Sequence, residues 1–231
     1  MALVAVLGTT ISPYLFFWQA GQEVEELHRR HVKALCITPR RAGTELARIR
    51  VDTLFGMAIS NLIALFIIFS TAATLNARGI HDIQTSAQAA EALRPIAGDF
   101  AFVLFAIGII GTGLLAVPVL AGSTAYGVSE VFGWREGLDQ RPREAKAFYT
   151  IIALSTLCGA LVSLTSLDPV KALYWSAVVN GVLAAPVMAV MMLIATNPRI
   201  MGRFTLPYAL KVMGWLATCV MALAAVGFLL I

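Results

Sequence analysis

Charge is what this chain has least of. Only 13% of its 231 residues are Asp, Glu, Lys or Arg, against about a quarter in ordinary soluble domains. Cysteine is scarce too. Cys36, Cys158 and Cys219 show no paired spacing, which excludes a disulfide framework or a zinc module. Cys158 and Cys219 fall inside apolar runs, where a thiol serves as a small hydrophobe. His28 and His31 are three residues apart in a basic stretch and lack a third ligand, so they read as solvated. No nucleophile, base and orienting group come together as a catalytic set, and an enzyme is not expected. Low-complexity tracts and a second soluble domain are also missing. The formal net charge of +4 does not point to nucleic acid, because the basic residues sit in short loops between apolar runs.

Those runs dominate the chain, 59% of which is hydrophobic. A helix needs roughly 20 apolar residues to cross a bilayer. Six stretches qualify, at about 2–20, 52–76, 99–126, 147–167, 172–196 and 207–231. The expectation is an all-α integral membrane protein, one transmembrane domain of about six helices surrounded by lipid bilayer. The first run is read as a retained span, since no basic residue precedes it and Pro13 interrupts it, unlike a cleaved signal.

Basic residues set the orientation. Fourteen of the 17 Lys and Arg lie after the first, third and fifth runs, from Arg29 to Arg50, Arg135 to Lys146 and Arg199 to Lys211. Arg78, Arg94 and Lys171 lie on the other side. The N-terminus is therefore expected outside and the basic loops in the cytoplasm, as in a bacterial inner membrane. A first span running inward normally follows an earlier one, so a missing N-terminal half or a partner chain is expected. In the loop from Glu23 to Arg50, Leu27, Val32 and Leu35 suit an interfacial helix on anionic headgroups. Asp52 reads as the N-cap of the second span, and the segment from Thr85 to Leu93 has helix-forming composition.

The first span carries the most unusual chemistry. Gly8-Thr9-Thr10-Ile11-Ser12-Pro13-Tyr14 lies at bilayer depth, where proline removes a donor and disfavours helix at the preceding residue. Carbonyls freed there need a partner that lipid does not supply. One reading is a proline kink eased by hydroxyls; another is an unwound cation-coordinating segment of the kind transporters place near the midplane. Gln19 and Gln22 follow, then Glu23, Glu25 and Glu26, as a cation path or as a solvated helix end. Asn180 and Asn61 lie inside apolar spans, where an amide bonds to another helix or lines a polar cavity. Gly108, Gly111 and Gly113 are assigned to close helix packing rather than a nucleotide loop, and Met188, Met191 and Met192 to packing. Pro118 and Pro186 are expected to kink their spans, and Asp99 and Asp168 show no partner.

The stretch GTTISPYLFFWQAGQEVEE resembles the sixth helix of the NRAMP family of divalent-metal transporters. GIIGTGLLAVPVLAGSTAYGVSEVFGW is similar to that family's eighth helix and VVNGVLAAPVMAVMMLIATN to its tenth. The resemblance covers the whole chain and implies a LeuT-like inverted-repeat fold, of which these spans are the second repeat plus one extra helix. Helices one to five of the family, with their metal-binding Asp and Asn, have no counterpart in this sequence. Carried across, the family's coordinating carbonyl falls on Thr9, its methionine on Ser12, its proline on Pro13 and its histidine on Tyr14. Asn180 takes a polar position usually held by Gln. A thioether suits softer metals and a hydroxyl harder ones, so the resemblance implies manganese or magnesium. Proton coupling is not carried over, because the imidazole is absent.

Together these readings give a divalent-cation transporter. Thr9, Ser12 and Asn180 are its metal contacts, and Pro13, Tyr14 and Gln19 form its break and pathway. No cofactor other than the transported ion is expected. The other reading is a non-transporting structural or regulatory membrane partner.

Overall fold

A computed structural model describes residues 2–31, 39–76, 79, 83, 85–91, 94–165 and 168–230. In chain order its helices are α1 (Ala2–Thr10), α2 (Pro13–Arg29), α3 (Pro39–Thr74), α4 (Ser86–Ala90) and α5 (Arg94–Ala97). A 3-10 turn, Gly98–Phe100, leads into α6 (Ala101–Phe132), followed by α7 (Lys146–Ser163) and α8 (Pro169–Ala195). The short α9 (Pro198–Met201), a second 3-10 turn and α10 (Tyr208–Leu229) complete the order. Among the described residues there is no strand.

Among the described residues, five segments are long and apolar enough to cross a membrane: Ala42–Thr74, Gly98–Phe132, Lys146–Ser163, Pro169–Ala195 and Tyr208–Phe228. Their outward side chains are large and apolar, Phe55, Phe66, Leu114, Leu115, Leu173 and Leu223 among them. Water would leave that surface unsatisfied, whereas hydrocarbon matches it. Several hydroxyls within the spans donate to carbonyls of their own helices, which lipid favours. Ser70 Oγ donates to the Ile67 carbonyl at 3.0 Å, Thr156 Oγ1 to Ile152 at 2.9 Å and Thr218 Oγ1 to Gly214 at 2.8 Å. The all-helical, membrane-embedded class expected from composition is therefore the one found.

Several boundaries differ from the sequence expectation, each for a local reason. Helix α3 starts at Pro39, with proline where its missing donor costs nothing, and continues without a break into the apolar run. Asp52 thus lies in the helix interior and is not its N-cap. Thr44 to Val51 contains Glu45, Leu46, Ala47 and Arg48, good helix formers, and Arg48 pairs with Glu45 at 3.1 Å. Helix α2 carries Leu27 and ends at Arg29, with Arg30 paired to Glu26; Val32 and Leu35, like Cys36, lie outside the described residues. In the segment expected to be helical near Thr85, Thr85 and Gln88 form a reciprocal capping box at 3.2 and 3.3 Å, the arrangement that satisfies two orphan donors at a helix start. Asp168 has a partner after all: its Oδ1 accepts from the Val170 N–H at 2.9 Å, making it the N-cap of α8. Helices α6 and α8 are unbroken through Pro118 and Pro186.

The chain divides into two compact units, Met1–Gly43 with Leu173–Ile231, and Thr44–Ala172. In the first, Val4 and Ala5 of α1 pack with Ala177 and Val178 of α8 and with Ala224 and Phe228 of α10. A second cluster joins Ala184, Ala185 and Met188 of α8 to Met221 of α10 and to Leu7 and Ile11. In the second unit, Ala121, Ala125, Tyr126 and Ser129 near the end of α6 are buried beside Phe148 of α7, which is fully buried. Tyr126 meets Phe148 edge-on with ring centroids 5.0 Å apart.

Gly133 ends α6 in the left-handed conformation at φ 64°. The Trp134 N–H bonds the Ser129 carbonyl at 2.9 Å and the Gly133 N–H the Glu130 carbonyl at 3.2 Å. These two bonds make a Schellman closure. Beyond it, the Tyr149 hydroxyl donates to the Gln140 carbonyl at 2.9 Å and lies 3.2 Å from that of Leu138, tying the loop to α7.

Candidate cation site at the broken helix

The expected interruption falls between α1 and α2. Ser12 is extended, at φ −94° and ψ 118°, and Pro13 is the first residue of α2. Proline explains both facts: it biases the residue before it away from helix and is tolerated as a first helical residue. The Ile11 N–H still bonds the Leu7 carbonyl at 2.9 Å, and the next turn restarts with the Leu15 N–H on the Ser12 carbonyl at 3.1 Å. Between them, no backbone N–H among the described residues reaches the carbonyls of Gly8, Thr9 or Thr10.

The hydroxyls fill part of this gap. Ser12 Oγ donates to the Gly8 carbonyl at 3.1 Å and lies 3.4 Å from that of Thr9. Thr9 and Thr10 both donate backward to the Val6 carbonyl, at 2.8 and 2.9 Å. Ser12 is 4% exposed and Pro13 is buried, while Thr9 and Thr10 are exposed. Tyr14 is half-buried in the first turn of α2, and Gln19 is exposed further along it.

Opposite the break runs α8, at a distance set by two glycines. A β-carbon on Gly8 would lie 2.5 Å from the Gly181 nitrogen and closer still to the Ala177 carbonyl oxygen. One on Gly181 would lie 2.6 Å from the Val4 carbonyl oxygen. Backbones come this close in membranes only through small residues, here Gly8 against Ala177 and Gly181, four residues apart. Asn180 is the neighbour of Gly181 and is half-buried.

The structure therefore places the break, its carbonyls and the segment of α8 that carries Asn180 side by side. It does not join the Asn180 amide to Thr9 or Ser12 by a hydrogen bond. Gln19 lies nearly two helical turns beyond Pro13. Among the described residues, no three of His, Cys, Asp and Glu group as metal ligands, so the donors at the break are neutral oxygens.

Gly8 and Gly181 were not singled out in the sequence. The available signal was the pairing of Gly8 with an Ala-x-x-x-Gly spacing in another span. Among the described residues, no close packing is found at Gly108, Gly111 and Gly113: a β-carbon on any of them would meet nothing within 4 Å, and Gly108 and Gly111 are exposed. Met192 and Met188 do pack, Met192 against Gly214 and Met188 in the α8–α10 cluster. Asn61 is exposed on α3.

A model of the family described as natural resistance-associated macrophage protein-like matches residues 1–231, the whole chain. The chain belongs to the Nramp family. A curated Nramp relative, the divalent metal cation transporter MntH of Deinococcus radiodurans, is 25% identical over 230 residues. That alignment covers 98% of this chain and 48% of the relative, so the chain spans about half the length of the protein it matches. The resemblance noted from three stretches of sequence is thus a family membership that runs end to end.

Proposed function

We propose that this Nramp chain supplies the cation-binding broken helix of a divalent-metal transporter, working as part of a longer or paired assembly. One observation carries the reading: the helix stops at Thr10 and restarts at Pro13, leaving the carbonyls of Gly8, Thr9 and Thr10 without backbone donors. Unwound carbonyls of this kind are what secondary transporters use to hold cations. Thr9 and Ser12 are the first contacts, Asn180 approaches from α8, and Pro13 holds the break open. Tyr14 and Gln19 line the route toward the basic loops.

The fold in this reading is the LeuT-like inverted repeat, this chain forming the second repeat and one further helix. Its N-terminus faces outward and its Arg-rich loops face the cytoplasm of a bacterial inner membrane. Hydroxyl and carbonyl oxygens suit hard divalent ions better than thiophilic ones, which favours manganese or magnesium as substrate.

The test is uptake of manganese and of magnesium into cells or vesicles that carry the chain together with whatever segment or partner completes it. Ser12→Leu removes the hydroxyl and fills the gap, and uptake should be lost while the protein still reaches the membrane. Normal uptake by Ser12→Leu would take Ser12 out of the site. Absence of uptake in the complete assembly would favour a structural or regulatory role.

A further inference from the structure

The loop after α6 and the outer face of α7 hold a second feature, which cation binding does not use. A cavity of about 510 Å³ opens beside Trp134, Arg135, Arg143, Glu144 and Lys146. A second, also shallow and open, of about 460 Å³, shares Lys146 with it and is lined by Tyr149, Thr150, Ala153, Leu154 and Leu157. Lys146 lines both. The spacing of the second set, three or four residues apart, is one face of a single helix, so the groove follows α7 into the membrane.

The two cavities differ in chemistry. The first presents three cations and one carboxylate. Among the described residues, none of Arg135, Arg143 and Lys146 is ion-paired to a carboxylate. The second is walled by Ala153, Leu154 and Leu157, and the two leucines are more than half exposed. At the junction the geometry is fixed. The Tyr149 hydroxyl is held by the loop carbonyls of Leu138 and Gln140, and Trp134 stacks on Phe132 at 4.8 Å. An aromatic pair at the end of a span is the usual mark of the headgroup level.

A cationic pocket that continues as an apolar groove matches a molecule with an anionic head and a hydrocarbon tail. We propose that an anionic phospholipid binds here. Its phosphate sits among Arg135, Arg143 and Lys146, and one acyl chain follows the α7 face from Tyr149 to Leu157. Guanidinium and ammonium groups bind phosphate oxygens through charge-assisted hydrogen bonds. A zwitterionic head would bring its own cation into a pocket with a surplus of positive charge, so the site discriminates by headgroup. Free phosphate would leave the groove empty. In residues 133–146 Arg135, Arg141, Arg143 and Lys146 outnumber Glu136, Asp139 and Glu144 by one, and the orientation proposed above puts this loop at the anionic cytoplasmic leaflet.

The experiment is native mass spectrometry of the full chain in detergent, with added phosphatidylglycerol or phosphatidylcholine. Wild type should retain phosphatidylglycerol preferentially. The triple variant Arg135→Gln, Arg143→Gln, Lys146→Gln should lose that preference by about tenfold or more. The control Arg199→Gln, Arg203→Gln, Lys211→Gln, which removes the same three positive charges outside the cavity, should keep it. Leu157→Asp should weaken lipid retention with the cations intact. Equal retention of both lipids by wild type, or an unchanged preference in the triple variant, would overturn the proposal. So would full displacement of the lipid by inorganic phosphate, since the groove would then contribute nothing. A photoactivatable phosphatidylglycerol on the wild-type chain gives a reading independent of variant folding. Labelling should fall within residues 133–157, and labelling confined elsewhere would refute the site.

Discussion

Gly8 and Gly181 bring the backbones of α1 and α8 so close that neither position has room for a β-carbon. The contact lies one turn before the helix break and next to Asn180, so it fixes how near the carbonyls that lack backbone donors come to α8. Gly8→Leu or Gly181→Leu must push the helices apart. Overpacking of this kind costs about 1–3 kcal/mol, and the thermal midpoint of the purified protein in detergent should fall. An unchanged midpoint would mean that the helices do not meet there.

Ser12 offers a subtler change. Ser12→Ala keeps the shape and removes one hydrogen bond to the Gly8 carbonyl, a loss of about 1 kcal/mol, so the fold should persist while cation affinity drops. Ser12→Met introduces a thioether and should raise uptake of cadmium relative to magnesium, since sulfur prefers softer ions. Competition assays that return the same ion order for both residues would dissociate position 12 from selectivity.

Phe148 is the anchor of the α6–α7 pair, fully buried and edge-on to Tyr126. Phe148→Ala should destabilise by about 3–5 kcal/mol. The loss should appear as accelerated proteolysis or hydrogen exchange in 121–129 and 146–152, with the α1–α8 contact protected. Uniform exposure of the whole chain would show that the two units do not unfold separately.

Two helix ends can be tested in the same way. Gly133→Ala places a β-carbon at φ 64°, a conformation that costs about 1–2 kcal/mol for residues with a side chain. Asp168→Ala removes the cap from the Val170 N–H and should cost about 1 kcal/mol. Asp168→Asn should recover most of it, because the amide oxygen still accepts; failure of Asn to rescue would point to the charge instead of the bond.

How far could these features be read in the sequence? The break could be read closely, because Ser-Pro at bilayer depth permits few backbone solutions and the structure adopts one of them. Of the six apolar runs expected as spans, five coincide with helices long enough to cross a membrane, and the first is divided between α1 and α2 by the break at Ser12. Helix starts were less visible: Asp52 resembled a cap only because the basic stretch before it was taken as a loop, although Glu45 to Arg48 has the composition of a helix. Glycine packing was the hardest. Gly108, Gly111 and Gly113 stand out by their spacing, yet close approach depends on which faces meet, and that is a property of the packed helices. Asn180 shows the same limit from the other side, since the approach of its segment to α1 through Gly8 and Gly181 needed the helix pairing to be known.

The three hydroxyls at the break have a shared consequence. A hydroxyl has one proton and two lone pairs, and Thr9, Thr10 and Ser12 each give that proton to a carbonyl of α1. What remains to meet a visitor is electron density without a hydrogen to offer. These three oxygens therefore present lone pairs that favour cations over anions, although no residue from Gly8 to Tyr14 carries a formal charge. In the function proposed above, neutral oxygens of that sort would release a divalent ion as readily as they hold one.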